Sequence, residues 1–315
     1  MGQGTGDRSN DLSRGTLRVL GEVGLIARIR KRVRCAPSVR VGIGDDAAVL
    51  RIPGGKLLLF TSDMMVEDVH FRRRLVPAQW VGWKALAANV SDIAAMGGRP
   101  QWAAVSLGLP PTTTIRFVGL LYEGLERCAR RFGVSIVGGD TVRAPRVVVD
   151  VTILGTVTPG RLTLRSGAKP GDVLFVTGQL GGSYTSGRHA RFVPRLAEAQ
   201  ELLRHVRVHA MMDLSDGLAS DLWQMSRASR VRLRIEAGLV PVSRDAKTLQ
   251  HALMDGEDFE LLFAVDRTAA GRVPRRLGSC SVTRIGRAVA RGVGVELERS
   301  NGRVEWLVHK GFRHF

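Results

Sequence analysis

"VGIGDDAAVL", residues 41–50, sets two adjacent carboxylates, Asp45 and Asp46, between glycines and a run of small apolar residues. A glycine-rich turn after an apolar run invites comparison with a dinucleotide fingerprint, but here acids stand where a pyrophosphate would lie, and they would repel it. Neither a GxxxxGK[ST] loop nor a kinase-type catalytic loop occurs elsewhere in the chain. The usual phosphate cradles are therefore excluded. Any phosphate must be held through cations, backbone amides and arginines.

The same arrangement recurs along the chain. Many of the 17 aspartates sit at strand ends or in glycine-rich turns: "TSDMM" (61–65), "NVSDIAAMGG" (89–98), "VGGDT" (137–141), "MMDLSDGL" (211–218) and "MDGEDFELL" (254–262). A turn or cap role explains Asp45, Asp172 or Asp221 taken singly. It does not explain the set, because two unit charges about 4 Å apart repel by roughly 4 kcal/mol at an effective dielectric near 20. Half-buried carboxylates need a partner or a metal. Oxygen donors without a His or Cys cluster at ligand spacing suit a hard cation such as Mg²⁺, which commonly arrives with the phosphates of a nucleotide.

Composition bounds the rest. With 315 residues, 44% of them hydrophobic, the chain is long enough for two domains with cores of their own. Its net charge of +18 comes from 41 Arg and 6 Lys against 29 acids. The basic groups are scattered, as in "RIRKRVR" (28–34) and "RRR" (72–74), and aromatic residues make up 5% of the chain, few for stacking on single strands. No apolar run reaches the roughly 18 residues of a membrane span, and residues 1–20 are polar and glycine-rich rather than a signal peptide, so a cytoplasmic protein is expected. Cys35, Cys128 and Cys280 are odd in number and far apart, which supports neither a disulfide framework nor a zinc site.

Periodicity predicts a mixed α/β chain. Helical spacing covers 16–33, 78–97 and the amphipathic stretch "TIRFVGLLYEGLERCARRFG"; 56–66 reads as a buried strand, "QWAAVSLGLP" as a strand, "VSIVGGDTV" as a strand running into a loop, and "RVVVDVTILGTV" as a strand. Pro159, Gly160, Gly167, Pro170 and Gly171 place a boundary in 158–172. Beyond it come a strand at "VLFVTG", helices near 193–205 and through "GLASDLWQMSRAS", and strands at "VRLRIEA" and "FELLFAV".

The ordered series "GEVGLIARI" (21–29), "GIGDDAAVL" (42–50), "TSDMMVEDVHF" (61–71), "WKALAANVSDIAAMGGRP" (83–100), "VGGDT", "LRSGAKPGDVLFVTGQLG" (164–181), "MDLSDGLASDL" (212–222), "GEDFELLF" (256–263) and "KGFRHF" resembles the thiamine-monophosphate kinases. The resemblance implies the two-domain α/β (α+β) fold of the aminoimidazole ribonucleotide synthetase superfamily. Residues 1–20 would be an extension, 21–157 the ATP- and Mg-binding domain that pairs into a barrel-like homodimer, and 158–315 a C-terminal α/β domain. The implied reaction is direct in-line transfer from ATP to thiamine monophosphate with Mg²⁺, without a phosphoenzyme.

By the same resemblance Asp46, Ser62, Asp63, Asp92, Asp140, Asp213 and Asp216 are magnesium ligands, Asp46 with help from Asp45. Gly139, Asp140, Arg165 and Ser215 contact ATP, the glycine pair 138–139 letting the nucleotide approach the main chain. His70, Glu257 and His309 contact the substrate, and no catalytic residue is implied beyond the metal ligands. The chain departs from the family pattern in three places. His309 fills a slot that relatives give to an aromatic residue, with Trp306 or Phe312 as other stacking candidates and Trp306 readable as core. Asp68 stands where Gly is usual, and "GGSYTSGRHARFVPR" is shorter than its counterpart. Two alternatives are a sister enzyme of the same fold, such as aminoimidazole ribonucleotide synthetase, and an arginine-rich nucleic-acid binder.

Overall fold

The acid pair stands between the two strands of a short hairpin, β1 (Val39–Val41) and β2 (Ala48–Arg51). The computed structural model describes residues 16–308, so His309 and Phe312, along with residues 1–15 of the expected extension, lie outside the described residues. The hairpin begins a six-stranded sheet completed by β3 (Leu57–Val66), β4 (Arg99–Leu109), β5 (Ser135–Arg143) and β6 (Val148–Val157), in the order β1-β2-β3-β6-β4-β5. All pairings are antiparallel except β4 with β5. The sheet is open, with β1 and β5 at its edges.

Two sequence expectations change here. β3 is buried on one face only. Leu57, Leu59, Thr61 and Met65 point into the core, whereas Phe60 and Met64 are 44% and 57% exposed, because successive side chains of a strand leave on opposite faces. The stretch 135–143 does not turn into a loop at its glycines but stays paired to β4 through Asp140 and beyond. Gly139 (φ 155°) has no room for a side chain, since a Cβ there would stand 1.7 Å from the Val105 carbonyl oxygen.

One face of the sheet is covered by α2 (Ala78–Ala95) and α3 (Ile115–Phe132), which pack against each other, α2 over β3 and β6 and α3 beside β5. α1 (Leu17–Arg32) buries no residue and breaks at Gly21 (φ 66°). α2 is buried nearly throughout, alanine-rich, and touches both halves of the molecule: β3 and β6 on one side, α4 (Leu196–His205) and β8 (Val208–Asp213) on the other.

The second half is a larger sheet. β7 (Val173–Thr177), β9 (Val231–Glu236), β10 (Leu261–Val265), β12 (Cys280–Arg291), β13 (Gly294–Glu298) and β14 (Val304–Trp306) join β8 in the order β14-β13-β9-β12-β7-β10-β8, and β11 (Arg276–Leu277) pairs with β12. α5 (Leu218–Ser229) packs on β13, β8 and β9, with α6 (Leu249–Met254) beside it. Trp306, read as possible core, lies on the edge strand, 59% exposed, over Gly294. The segment 158–172 is held down between the halves: the Thr163 hydroxyl donates to the Ala95 carbonyl at 2.7 Å, and the Met211 N–H donates to the Leu164 carbonyl. No helix among the described residues is long and apolar enough to cross a membrane.

The approach of α2 to α3 depends on glycine. A Cβ at Gly124 would stand 1.8 Å from the Gln79 carbonyl oxygen, and one at Gly82 would stand 2.0 Å from that of Leu121. Gly124→Ala must push the helices apart. It should cost about 1–3 kcal/mol or more, read as a lowered Tm in a thermal melt, whereas Gly119→Ala on the same helix meets nothing within 4 Å and should melt like the parent.

Candidate active site

Three carboxylates converge from distant parts of the chain. Asp46 in the β1–β2 connection, Asp92 on α2 and Asp213 at the end of β8 each offer a ligand atom within 4.8 Å of the others. Hydroxyl donors hold two of them. The Thr61 Oγ1–H donates to Asp92 Oδ2 at 2.5 Å and the Ser91 Oγ–H to Asp213 Oδ2 at 2.6 Å. Asp63, two residues beyond Thr61 on β3, is close enough to feel Asp46 and Asp150.

Burial and mutual repulsion govern this group. Burial first, then Asp46, pushes Asp213 up to about 8. Burial, then Asp150 and Asp46, pushes Asp63 to about 6. Asp92 is raised well above the ordinary carboxylate value by burial and by Asp63, Asp213 and Asp46. Asp46 is also raised by burial, against the pull of Arg165, whose guanidinium pairs with Asp46 Oδ1; buried Asp46 Oδ2 has no hydrogen-bond partner among the described residues. An all-oxygen set of mutually repelling, incompletely partnered carboxylates fits a hard divalent cation.

The remaining expected residues divide. Asp45 accepts the Arg165 backbone N–H at 3.1 Å, which ties the hairpin connection to the inter-sheet segment, and burial together with its neighbour Asp46 pushes its pKa up to about 6. Ser62 cannot share a face with Asp63, its strand neighbour; its hydroxyl lies 2.9 Å from that of Thr152 and 3.3 Å from Asp150 Oδ1, on the open side of the sheet. Asp140 is exposed on β5, its carboxylate accepting the Thr141 N–H at 2.7 Å. Gly139 is required by strand pairing, whatever else it permits. The Arg165 side chain bonds Asp46 and Gln224 of α5, and the Gln224 amide donates to Asp216 at 3.1 Å and to Asp221 at 3.2 Å. Ser215 lies before α5, its carbonyl accepting the Glu257 N–H at 2.7 Å. The loops of Ser215 and Glu257 are therefore backbone neighbours.

Around Glu257 a second group forms. Lys84 of α2, 2% exposed, donates from Nζ to Glu257 Oε1 at 2.5 Å and to the His70 carbonyl at 3.0 Å. Burial pushes its pKa down, opposed by Glu257. His70 accepts the Val66 N–H at Nδ1, 3.0 Å away. Glu257 (φ 62°) and Phe259 (φ 49°) hold left-handed backbone within one loop, a concentration of strain typical of sites rather than scaffolds. Asp68 is also left-handed (φ 66°), which explains why glycine suits that position; its carboxylate pairs with Arg146.

Lys84 and Thr61 did not stand out in the sequence, and Asp221 was readable there as a turn or cap residue. Lys84 left a signal, the one basic residue of α2, a helix whose only other charge is Asp92. Asp221, in the first turn of α5 and fully buried, is raised well above its ordinary value by burial, then by Asp216 and Asp213.

Comparison with known proteins adds names to this geometry. The family "AIR synthase related protein, N-terminal domain" matches residues 44–157, and its C-terminal counterpart matches 169–298. A thiamine-monophosphate kinase of Rhodopirellula baltica is 39% identical, the alignment covering 93% of this chain and 97% of that protein. That of Bacillus subtilis is 35% identical, covering 94% and 100%. A solved structure of AaThiL complexed with AMPPCP and TMP superposes with a TM-score of 0.84 at 31% identity, covering 96% of this chain and 100% of that one.

The acid cluster predicts a pH signature. Carboxyl groups whose pKa is higher folded than unfolded keep protons that the unfolded chain has released, so folded stability falls as pH rises from the ordinary 3.8 toward the value of about 8 at Asp213. With chelator present, Tm should decline across that window. Mg²⁺ should raise Tm more near pH 8 than near pH 5, and equal gains at both in a scanning melt would contradict a cation-binding cluster.

Proposed function

The chain belongs to the AIR synthase related family and, within it, to the thiamine-monophosphate kinases; on that premise we infer that it transfers the terminal phosphoryl group of ATP to thiamine monophosphate, giving ADP and thiamine diphosphate. The observation that carries this reading is the end-to-end similarity to enzymes of that name, joined to a buried all-oxygen carboxylate cluster beside the loop of Glu257. The competing reading as a nucleic-acid binder leaves that cluster without a purpose.

We propose Mg²⁺ as the cation, held chiefly by Asp46, Asp63, Asp92 and Asp213, with Ser62, Asp140 and Asp216 as outlying oxygen donors to cations that accompany the nucleotide. When bound, Mg²⁺ neutralises phosphate oxygens and lowers the repulsion between two anionic substrates. The protein's own part is positional. Arg165 and Ser215 lie toward the nucleotide, with Gly139 and Asp140 on the outer strand. His70 and Glu257 hold the acceptor substrate, and the left-handed loop fixes Glu257 against Ser215 so that donor and acceptor phosphates meet over the carboxylates. In-line attack needs no general base from the protein, because the second pKa of a phosphomonoester lies near 6 and its oxygen is already unprotonated at neutral pH.

A homodimer through the open face of the six-stranded sheet is also proposed, with residues 21–157 as the pairing and cation-binding domain and 158–315 as its cover. That face exposes Phe60, Met64 and Trp102, the last at 43%, an apolar surface that pairing would remove from water. Light scattering should then give about twice 34.3 kDa; an active monomer at micromolar concentration would sink the pairing.

Purified protein incubated with ATP, Mg²⁺ and thiamine monophosphate should yield thiamine diphosphate on chromatography. Asp92→Asn and Asp213→Asn should lower kcat by at least about a hundredfold, the order lost when an electrostatic contributor to the transition state is removed, while melting no lower than the parent, because each relieves repulsion. Near-parental kcat in both variants would refute the assignment of the cluster.

A further inference from the structure

His189 belongs to no part of the machinery described so far. It lies in the turn Arg188–Ala190, which packs on α2, and it is 5% exposed. Its placement is well determined. The following Phe192 stacks on Phe259 at 3.8 Å between centroids and accepts the Trp83 indole N–H at its carbonyl, while the Tyr184 ring stacks on the imidazole at 4.3 Å.

The protonation of the ring follows from its neighbours. Nδ1 lies 3.2 Å from the Ser183 carbonyl, which can only accept, so Nδ1 carries the hydrogen. Burial, then Lys84, pushes the pKa of the ring down, which keeps it neutral. Nε2 is thereby a bare acceptor, and it has no hydrogen-bond partner among the described residues. Glu257 presents a second such atom: Oε1 takes the Lys84 ammonium, and Oε2 is buried and unpartnered. The two loops meet: Arg188, the chain neighbour of His189, donates to Asp258, the neighbour of Glu257, at 2.6 Å, and Lys84 and Glu257 both act electrostatically on the His189 ring. Two buried acceptors without donors are costly in a protein interior and mark a place where a donor is expected from elsewhere.

We propose that His189 Nε2 and Glu257 Oε2 form a subsite for an amine borne on a heteroaromatic ring, namely the exocyclic amino group of the substrate's pyrimidine, with Tyr184 fixing the imidazole plane from the side. The inference rests on the reading of thiamine monophosphate as substrate, and it adds His189 as a specificity-determining residue. An amino group supplies two N–H donors to two acceptors. A ring carbonyl at the same position would set a third acceptor against them, so the site distinguishes the two by hydrogen-bond polarity rather than by size.

The test compares thiamine monophosphate with its analogue in which a ring carbonyl replaces the amino group, both with ATP and Mg²⁺. The parent enzyme should prefer the amine by about a hundredfold or more in kcat/KM. His189→Leu should raise KM for thiamine monophosphate about tenfold, leave KM for ATP unchanged and narrow the preference. His189→Gln, whose amide oxygen reaches the place of Nε2, should retain most of it. Equal turnover of both compounds by the parent overturns the subsite and needs no variant, as does a His189→Leu enzyme with parental KM and preference. A parent that turns over neither compound refutes the kinase reading itself, and the subsite with it.

Discussion

The repulsion among Asp46, Asp92 and Asp213 is the constraint around which the rest of the molecule is arranged. These carboxylates come from a hairpin connection, a helix and the end of a strand in the other sheet, and nothing local in the chain would bring them within 4.8 Å. Packing has to do it. The glycine contacts of α2 with α3 and the small side chains of α2 let that helix sink between the two sheets, which carries Asp92 to β8. Asp45 and Arg165 tie the hairpin to the inter-sheet segment, and Arg165 reaches on to Gln224 of α5. Thr61 and Ser91 each donate to one oxygen of a cluster carboxylate, which fixes orientation without neutralising charge. The fold therefore holds together an electrostatically unfavourable arrangement of the kind a cation would relieve.

Much of this was legible in the sequence, and the limits have physical causes. The long elements were visible because α3 and β6 keep one period over ten or more residues and α2 is a long run of small residues closed by Gly97, Gly98 and Pro100. The acids were visible because one pattern, Asp among glycines and small apolar residues, recurs in several segments. The glycines of β5 looked like a loop, although Gly139 is there to let two backbones meet. Ser62 and Asp63 were named together by the family resemblance, and the pleat that sends strand neighbours to opposite faces is a feature of the folded sheet. Asp45 and Asp46 meet different parts of Arg165, its backbone N–H and its guanidinium, a distinction that no linear reading contains. His189 is more obscure still, because its meaning lies in an atom that lacks a partner, and partners are a property of the folded chain.

The two functional groups are spaced by a single element. Lys84 and Asp92 are both on α2, eight residues apart, and at 1.5 Å per residue that separates them by roughly 12 Å along the axis. At the Lys84 end stand Glu257, His70 and His189, with their carbonyl, carboxylate and imidazole acceptors; at the Asp92 end stand the carboxylates that call for cations. A buried helix thus fixes the distance between the unpartnered acceptors of Glu257 and His189 and the carboxylate cluster. Loops at either end could change in length or conformation without altering that distance. A shift of α2 would disturb both ends together, so the burial of this helix and its glycine contacts belong to the chemistry as much as to the fold.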